Sequence, residues 1–79
     1  MTSPKLPNVA EYEALGRALR TLRRKAGLTQ RQAAERIGIR PQFVSEVERG
    51  HRGMRWHTLT ATVRAYGATL KQLGEEVER

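Results

Sequence analysis

The sequence predicts an all-α fold, a compact bundle of five short helices, on three observations. Apolar residues recur at steps of three and four, as along one face of a helix, and no stretch alternates like a half-buried strand. Glycines at positions 27, 38, 50 and 67 close successive periodic segments. Threonines at 29 and 69 and a proline at 41 stand where helix openings need them. With 79 residues the chain is one domain with a thin core.

The first helix runs from Tyr12 to about Lys25, with Tyr12, Leu15, Leu19, Leu22 and Ala26 forming its apolar face. Residues 1–10 read as a flexible arm carrying Lys5, and residues 11–79 as the folded domain. Thr29-Gln30-Arg31-Gln32 is a capping box, in which Thr29 accepts from the Gln32 amide and the Gln32 side chain reaches back. A second helix then runs from Gln30 to about Ile37 and buries Ala33, Ala34 and Ile37, whose two alanines admit another helix closely. After Gly38, Ile39 and Arg40, Pro41 takes the first turn of a third helix, which extends to about Arg49 and turns Val44 and Val47 inward. Phe43 packs at the edge of that stripe. The basic loop His51-Arg52-Gly53-Met54-Arg55 leads to a fourth helix from Trp56 or His57 to Ala65, with Leu59, Val63 and Tyr66 on one side. Thr69 caps a fifth, from Leu70 to about Glu78, with Leu70, Leu73 and Val77 as its apolar face. Lys71 near its start and Glu75, Glu76 and Glu78 near its end oppose the helix dipole, so packing must hold it.

Composition narrows the function. There is no cysteine, hence no disulfide and no thiolate metal site, and two histidines do not make a zinc centre. No metal and no cofactor are expected. No apolar run approaches membrane-spanning length, and the opening lacks the apolar core of a signal peptide, so a cytoplasmic location is expected. No effector domain or toxin-wrapping tail is expected beyond Arg79. Net charge is +7, and it is concentrated: residues 17 to 64 hold twelve Arg or Lys against three Glu, whereas residues 1 to 16 and 65 to 79 each sum to −1. A basic middle of this kind points to a polyanion partner.

The second and third helices, three residues apart, fit a helix-turn-helix, in which the second member enters the DNA major groove by its N-terminal end. Arg40, Pro41 and Gln42 stand at that end, with Ser45 and Glu46 one turn on, and form the expected base-reading set. Gln42 suits adenine and Arg40 suits guanine. Glu46, a carboxylate facing a polyanion, either touches a base, holds an arginine, or is tolerated at the groove edge. Gln30 at the second helix start is a phosphate contact or a plain surface cap. Arg49, Arg52 and Arg55 are expected phosphate clamps, and Arg17, Arg24 and Arg31 are weaker candidates. Two loop-side histidines and scattered glutamates assemble no catalytic group, so an enzyme is not expected. RNA binding by shape is a further reading, disfavoured because there is no sheet with stacking aromatics.

The stretch LRTLRRKAGLTQRQAAERIGIRPQFVSEVERG resembles the Cro/C1-type, xenobiotic-response-element or lambda-repressor-like, helix-turn-helix family. The shared pattern is Leu19-x-x-Leu22-Arg23, Gly27-Leu28-Thr29-Gln30, Ala34, Gly38, Val44-Ser45 and Glu48-x-Gly50, and similarity continues to about Leu73. The resemblance implies a sequence-specific regulator of transcription, a repressor that binds a palindromic operator in double-stranded DNA as a homodimer. It also implies a partly buried ion pair between Arg23 and Glu48, and a phosphate contact by Gln30. Arg40 departs from the usual Ser or Thr cap, giving up about 1 kcal/mol of capping. Pro41 departs from a polar base reader and offers a thymine methyl only apolar contact. Met54-Arg55-Trp56 departs from a Pro-Ser-Leu type sequence. The stretch MRWHTLTATVRAYGATLKQL resembles the end of antitoxin-type members, with Trp56 read as packing the last helices. The homodimer seam is expected from Tyr66, Leu70, Leu73 and Val77. The alternative is an antitoxin whose main partner is a toxin or other protein, with DNA binding for autoregulation.

Overall fold

The computed structural model describes residues 9 to 79; the lead-in with Lys5 lies outside the described residues. The elements are α1 (Val9–Lys25), α2 (Gln30–Ile37), α3 (Pro41–Glu48), α4 (Trp56–Ala65) and α5 (Leu70–Val77). Helix α1 starts at Val9, a turn before the Tyr12 from which apolar periodicity is visible, and Glu11 in its first turn suits the positive helix end.

Local chemistry explains the boundaries. At α2 the Gln32 amide donates to Thr29 Oγ1 at 3.1 Å and the Thr29 amide donates to Gln32 Oε1 at 2.9 Å. Helix α5 opens on the same reciprocal pair, Gln72 and Thr69, at 3.1 and 2.8 Å. Between α2 and α3 the chain turns at Gly38, whose φ of 85° is a conformation side chains rarely adopt. The amides of Gly38 and Ile39 both donate to the Ala34 carbonyl, at 2.8 and 3.0 Å. Arg40 then provides an extended N-cap with no side-chain cap bond, and Pro41 begins α3.

Helix α1 packs against α3 and α5, and α2 packs against α3 and α4. Leu19, Val44, Val47 and Thr62 are the largest fully enclosed side chains. Ala18, Leu22, Leu28, Ala33, Val63, Tyr66 and Leu73 join them in the core. Each enclosed leucine or valine contributes about 1.5 to 3 kcal/mol. Thr62 reaches the interior because its hydroxyl donates to the Thr58 carbonyl at 2.7 Å, satisfying itself within α4.

Four expectations about burial are corrected. Trp56 is not a core residue but 67 % exposed, because it is the first residue of α4 and the helix continues away from it. Ala26 is exposed, since α1 ends at Lys25 and the following turn buries Leu28 instead. Ile37 is only partly buried. Leu70, at the first position of α5, is 41 % exposed, so Leu73 and Val77 make that helix's contact with the rest of the bundle. One of the misplaced charges of α5 finds partners: Glu76 pairs with Lys25 of α1 at 3.1 Å and with Arg79 at 3.6 Å. Among the described residues no helix is long and apolar enough to cross a membrane, and no group of three potential metal ligands occurs.

Candidate nucleic-acid interface

Helix α3 divides its residues sharply. Val44 and Val47 are buried at 2 % and 1 % exposure, anchoring the helix from behind. Arg40, Pro41 and Gln42 are exposed together at its start, and Ser45 and Glu46 are half-buried one turn later. The front of α3 thus carries a guanidinium, a carboxamide, a hydroxyl and a carboxylate, the donors and acceptors that base edges can read.

The angle of α3 is set by Glu48 in its last turn. Arg23 of α1 donates from Nε to Glu48 Oε2 at 2.7 Å and from its second terminal nitrogen to Oε1 at 3.0 Å, a two-pronged pair with side chains 9 % and 4 % exposed. Its remaining terminal nitrogen donates to the Leu28 carbonyl at 2.7 Å. The Glu48 hydrogen bonds raise the Arg23 pKa further above its ordinary value, against the opposing effect of burial. Gln30 at the start of α2 donates from Nε2 to Glu48 Oε1 at 3.0 Å. One carboxylate therefore ties α1, α2 and α3, and it leaves Gln30 one amide proton for an outside acceptor.

Tyr66, at the end of α4, is pushed up to about 12, first by burial and second by the Glu48 charge, with Arg23 acting in the opposite direction. The unfolded chain releases this proton near 10, so between the two values the folded state holds more protons than the unfolded one. The contribution of Tyr66 is therefore fully present below pH 10 and lost as pH rises towards 12. An ultraviolet phenolate titration is expected to show a late step that Tyr66→Phe abolishes. If that step occurs near 10 in the folded protein, the buried environment described for Tyr66 is wrong.

Around α3 the cations gather. Arg49, Arg52 and Arg55 are all exposed. Arg52 Nε lies 3.7 Å from Glu46 Oε1, so Glu46 does hold an arginine. A cleft of about 380 Å³ between α1, the start of α2 and α3 is lined by Arg20, Arg23, Gln30, Ser45, Glu48 and Arg49. Arg20 is the residue that sequence reasoning missed. Its only local signal is its place one turn before Arg23, on the same face of α1. A larger groove of about 580 Å³, between the end of α1 and α5, mixes Lys25 and Arg79 with Glu75 and Glu76 and presents no single-sign field to a polyanion.

The expected dimer seam is not a continuous surface. Tyr66 and Leu73 are 7 % and 6 % exposed, already covered by the bundle itself, so they have little area left for a second copy. The two other candidates, Leu70 and Val77, remain exposed and half-buried.

A family model described as a helix-turn-helix domain matches residues 14–78. The clp gene regulator ClgR from Corynebacterium glutamicum has the same architecture at 34 % identity and a TM-score of 0.82, covering 98 % of this chain and 95 % of its own. The chain belongs to the Cro/C1-type helix-turn-helix family. The restriction-modification controller protein C.AhdI from Aeromonas hydrophila is similar at 30 % identity and a TM-score of 0.76, over 81 % of this chain and 97 % of its own. The controller protein C.Esp1396I, crystallised as a tetramer on its natural 35 base-pair operator, shares the fold at 16 % identity and a TM-score of 0.75, over 87 % of this chain and 96 % of its own. A search of curated proteins finds no significant match. This Cro/C1-type chain has the fold of DNA-binding transcription regulators, and its family is not one of enzymes.

Proposed function

We propose that the protein is a sequence-specific repressor of transcription that acts in the cytoplasm and binds a palindromic operator as a homodimer. The observation that carries this reading is the division of α3, with Val44 and Val47 buried while Arg40, Pro41 and Gln42 are presented together at its free end. In this reading those three residues, with Ser45 and Glu46, face base edges in the major groove. Gln30, Arg20, Arg49 and Arg55 face phosphates on either side of the groove. Gln30 is pre-oriented by Glu48, so its free amide proton needs no reordering on binding. A homodimer brings two α3 helices onto one face of the duplex, with the exposed part of α5 around Leu70 as the available contact. Its resemblance to ClgR, a clp gene regulator, and to C.AhdI, a restriction-modification controller protein, supports the regulatory assignment.

Selection of bound duplexes from a random pool tests the reading. The expected winner holds two inverted half-sites about 34 to 36 Å apart. Gln42→Ala should relax discrimination at one base pair by about 1 to 3 kcal/mol. Arg49→Ala should weaken all duplexes alike and reduce the slope of log affinity against log salt by about 1. A pool with no enriched sequence, or a Gln42 variant that weakens every duplex equally, refutes α3 as the reading helix.

A further inference from the structure

Arg52 lies in the basic loop after α3, where a sequence-blind phosphate clamp is the ordinary expectation. Its surroundings are more specific than that. The guanidinium carbon sits 5.2 Å from the centre of the Phe43 ring, and Nε is 3.7 Å from Glu46 Oε1. Phe43 and Glu46 are one turn apart on α3, so the arginine folds back along the reading helix instead of pointing out of the loop. Glu46 is also one turn from Gln42, which places the Arg52 head beside the base-reading set.

The backbone on both sides of Arg52 is held as well. Gly50 has a φ of 78°, and a Cβ there would lie 2.9 Å from the Glu13 Cα and 2.7 Å from its Cγ. At Gly53 a Cβ would lie 2.8 Å from Cε1 of the Tyr12 ring. Two glycines thus seat the loop directly against the start of α1, and the Arg52 backbone has little freedom between them. A side chain meant only to follow a phosphate needs reach and adaptability. This one is stacked on an aromatic face, tethered to a carboxylate and mounted on a pinned loop.

We propose that Arg52 is a specificity-determining residue, its guanidinium presented by Phe43 and Glu46 as an additional reader of a guanine edge next to the base pair faced by Gln42. The flat guanidinium offers paired donors that match the two acceptors of guanine in the major groove. Glu46 neutralises it in the free protein and keeps it from wandering onto the duplex backbone. The proposal rests on the DNA-binding reading above.

The test is operator selection with the full chain, followed by affinity measurements on the winning duplex and on its single base-pair variants. Arg52→Lys retains the charge but loses the flat two-pronged donor. It should keep the wild-type salt slope while discrimination at one base pair falls by about ten-fold or more. Arg52→Ala should lose the same discrimination; circular dichroism will show it folded, since its side chain is 55 % exposed. If Arg52→Ala weakens all duplexes equally and Arg52→Lys restores them all, Arg52 is a phosphate clamp and the proposal is overturned while operator recognition stands. If the wild-type protein enriches no sequence, operator recognition itself fails, and this assignment with it.

Discussion

Replacing Glu48 by alanine is expected to destabilise the protein by about 3 to 5 kcal/mol, enough to unfold much of a domain this small at 37 °C. The size of the effect comes from what remains behind. Arg23 is 8 % exposed and has lost both carboxylate bonds, so a charge is left inside the bundle with only the Leu28 carbonyl as a partner. Gln30 loses its acceptor in the same step. Urea denaturation should show the loss as a lower midpoint, and the double variant Arg23→Met, Glu48→Leu should recover most of it, because a well-packed apolar pair avoids the desolvation that the ion pair incurs. A single Glu48→Ala variant within 1 kcal/mol of wild type would mean, by the same reasoning, that the pair is far more hydrated than its exposure indicates. The recovered double variant should also bind DNA less tightly than wild type, since Gln30 is no longer held.

Gly16→Ala is expected to cost about 3 kcal/mol, at the upper end of what overpacking does. Sequence logic predicts the opposite sign, because alanine in a helix interior is favoured over glycine by about 1 kcal/mol. The packing reverses it. A Cβ on Gly16 would fall onto the Val47 carbonyl oxygen and within 2.7 Å of the Glu48 carbonyl oxygen. Both obstacles are backbone, so no side chain can rotate away, and α1 and α3 must separate along their length. The separation also stretches the Arg23–Glu48 pair, so the loss should appear in both urea midpoint and DNA affinity. A neutral or stabilised Gly16→Ala variant would refute the close approach of α1 to α3.

The helices were legible because their signals are local. The Thr29 and Gln32 side chains specify the start of α2 whatever surrounds them, and Gly38 and Pro41 specify a turn of three residues in the same way. The inward face of α3 was legible too, since Val44 and Val47 share one side of any helix drawn through them. Glu46 shows where this reasoning stops. A carboxylate on a DNA-facing helix demands a cation, but the end of α3 and the turn after it, five residues in all, separate it from Arg52, and the seating of Gly50 and Gly53 on α1 brings the two together.

By itself the sequence determined that five helices form, where the capped and proline-led ones begin, and that the third turns a polar, basic edge outward, because capping, left-handed turns and helical period act over a few neighbouring residues. The start of α1, which carries no such signal, lies a turn earlier than its apolar period shows. The tertiary structure decided which apolar side chains are covered. It buried Tyr66 and Leu73 within one copy and left Trp56 exposed. It also gathered Arg23 and Gln30 onto the Glu48 carboxylate, brought Arg20 to the rim of the same cleft, and set Gly16 directly against the backbone of α3. These outcomes depend on how closely whole helices approach and at what angle, a property shared among residues far apart in the chain that no local pattern of side chains encodes.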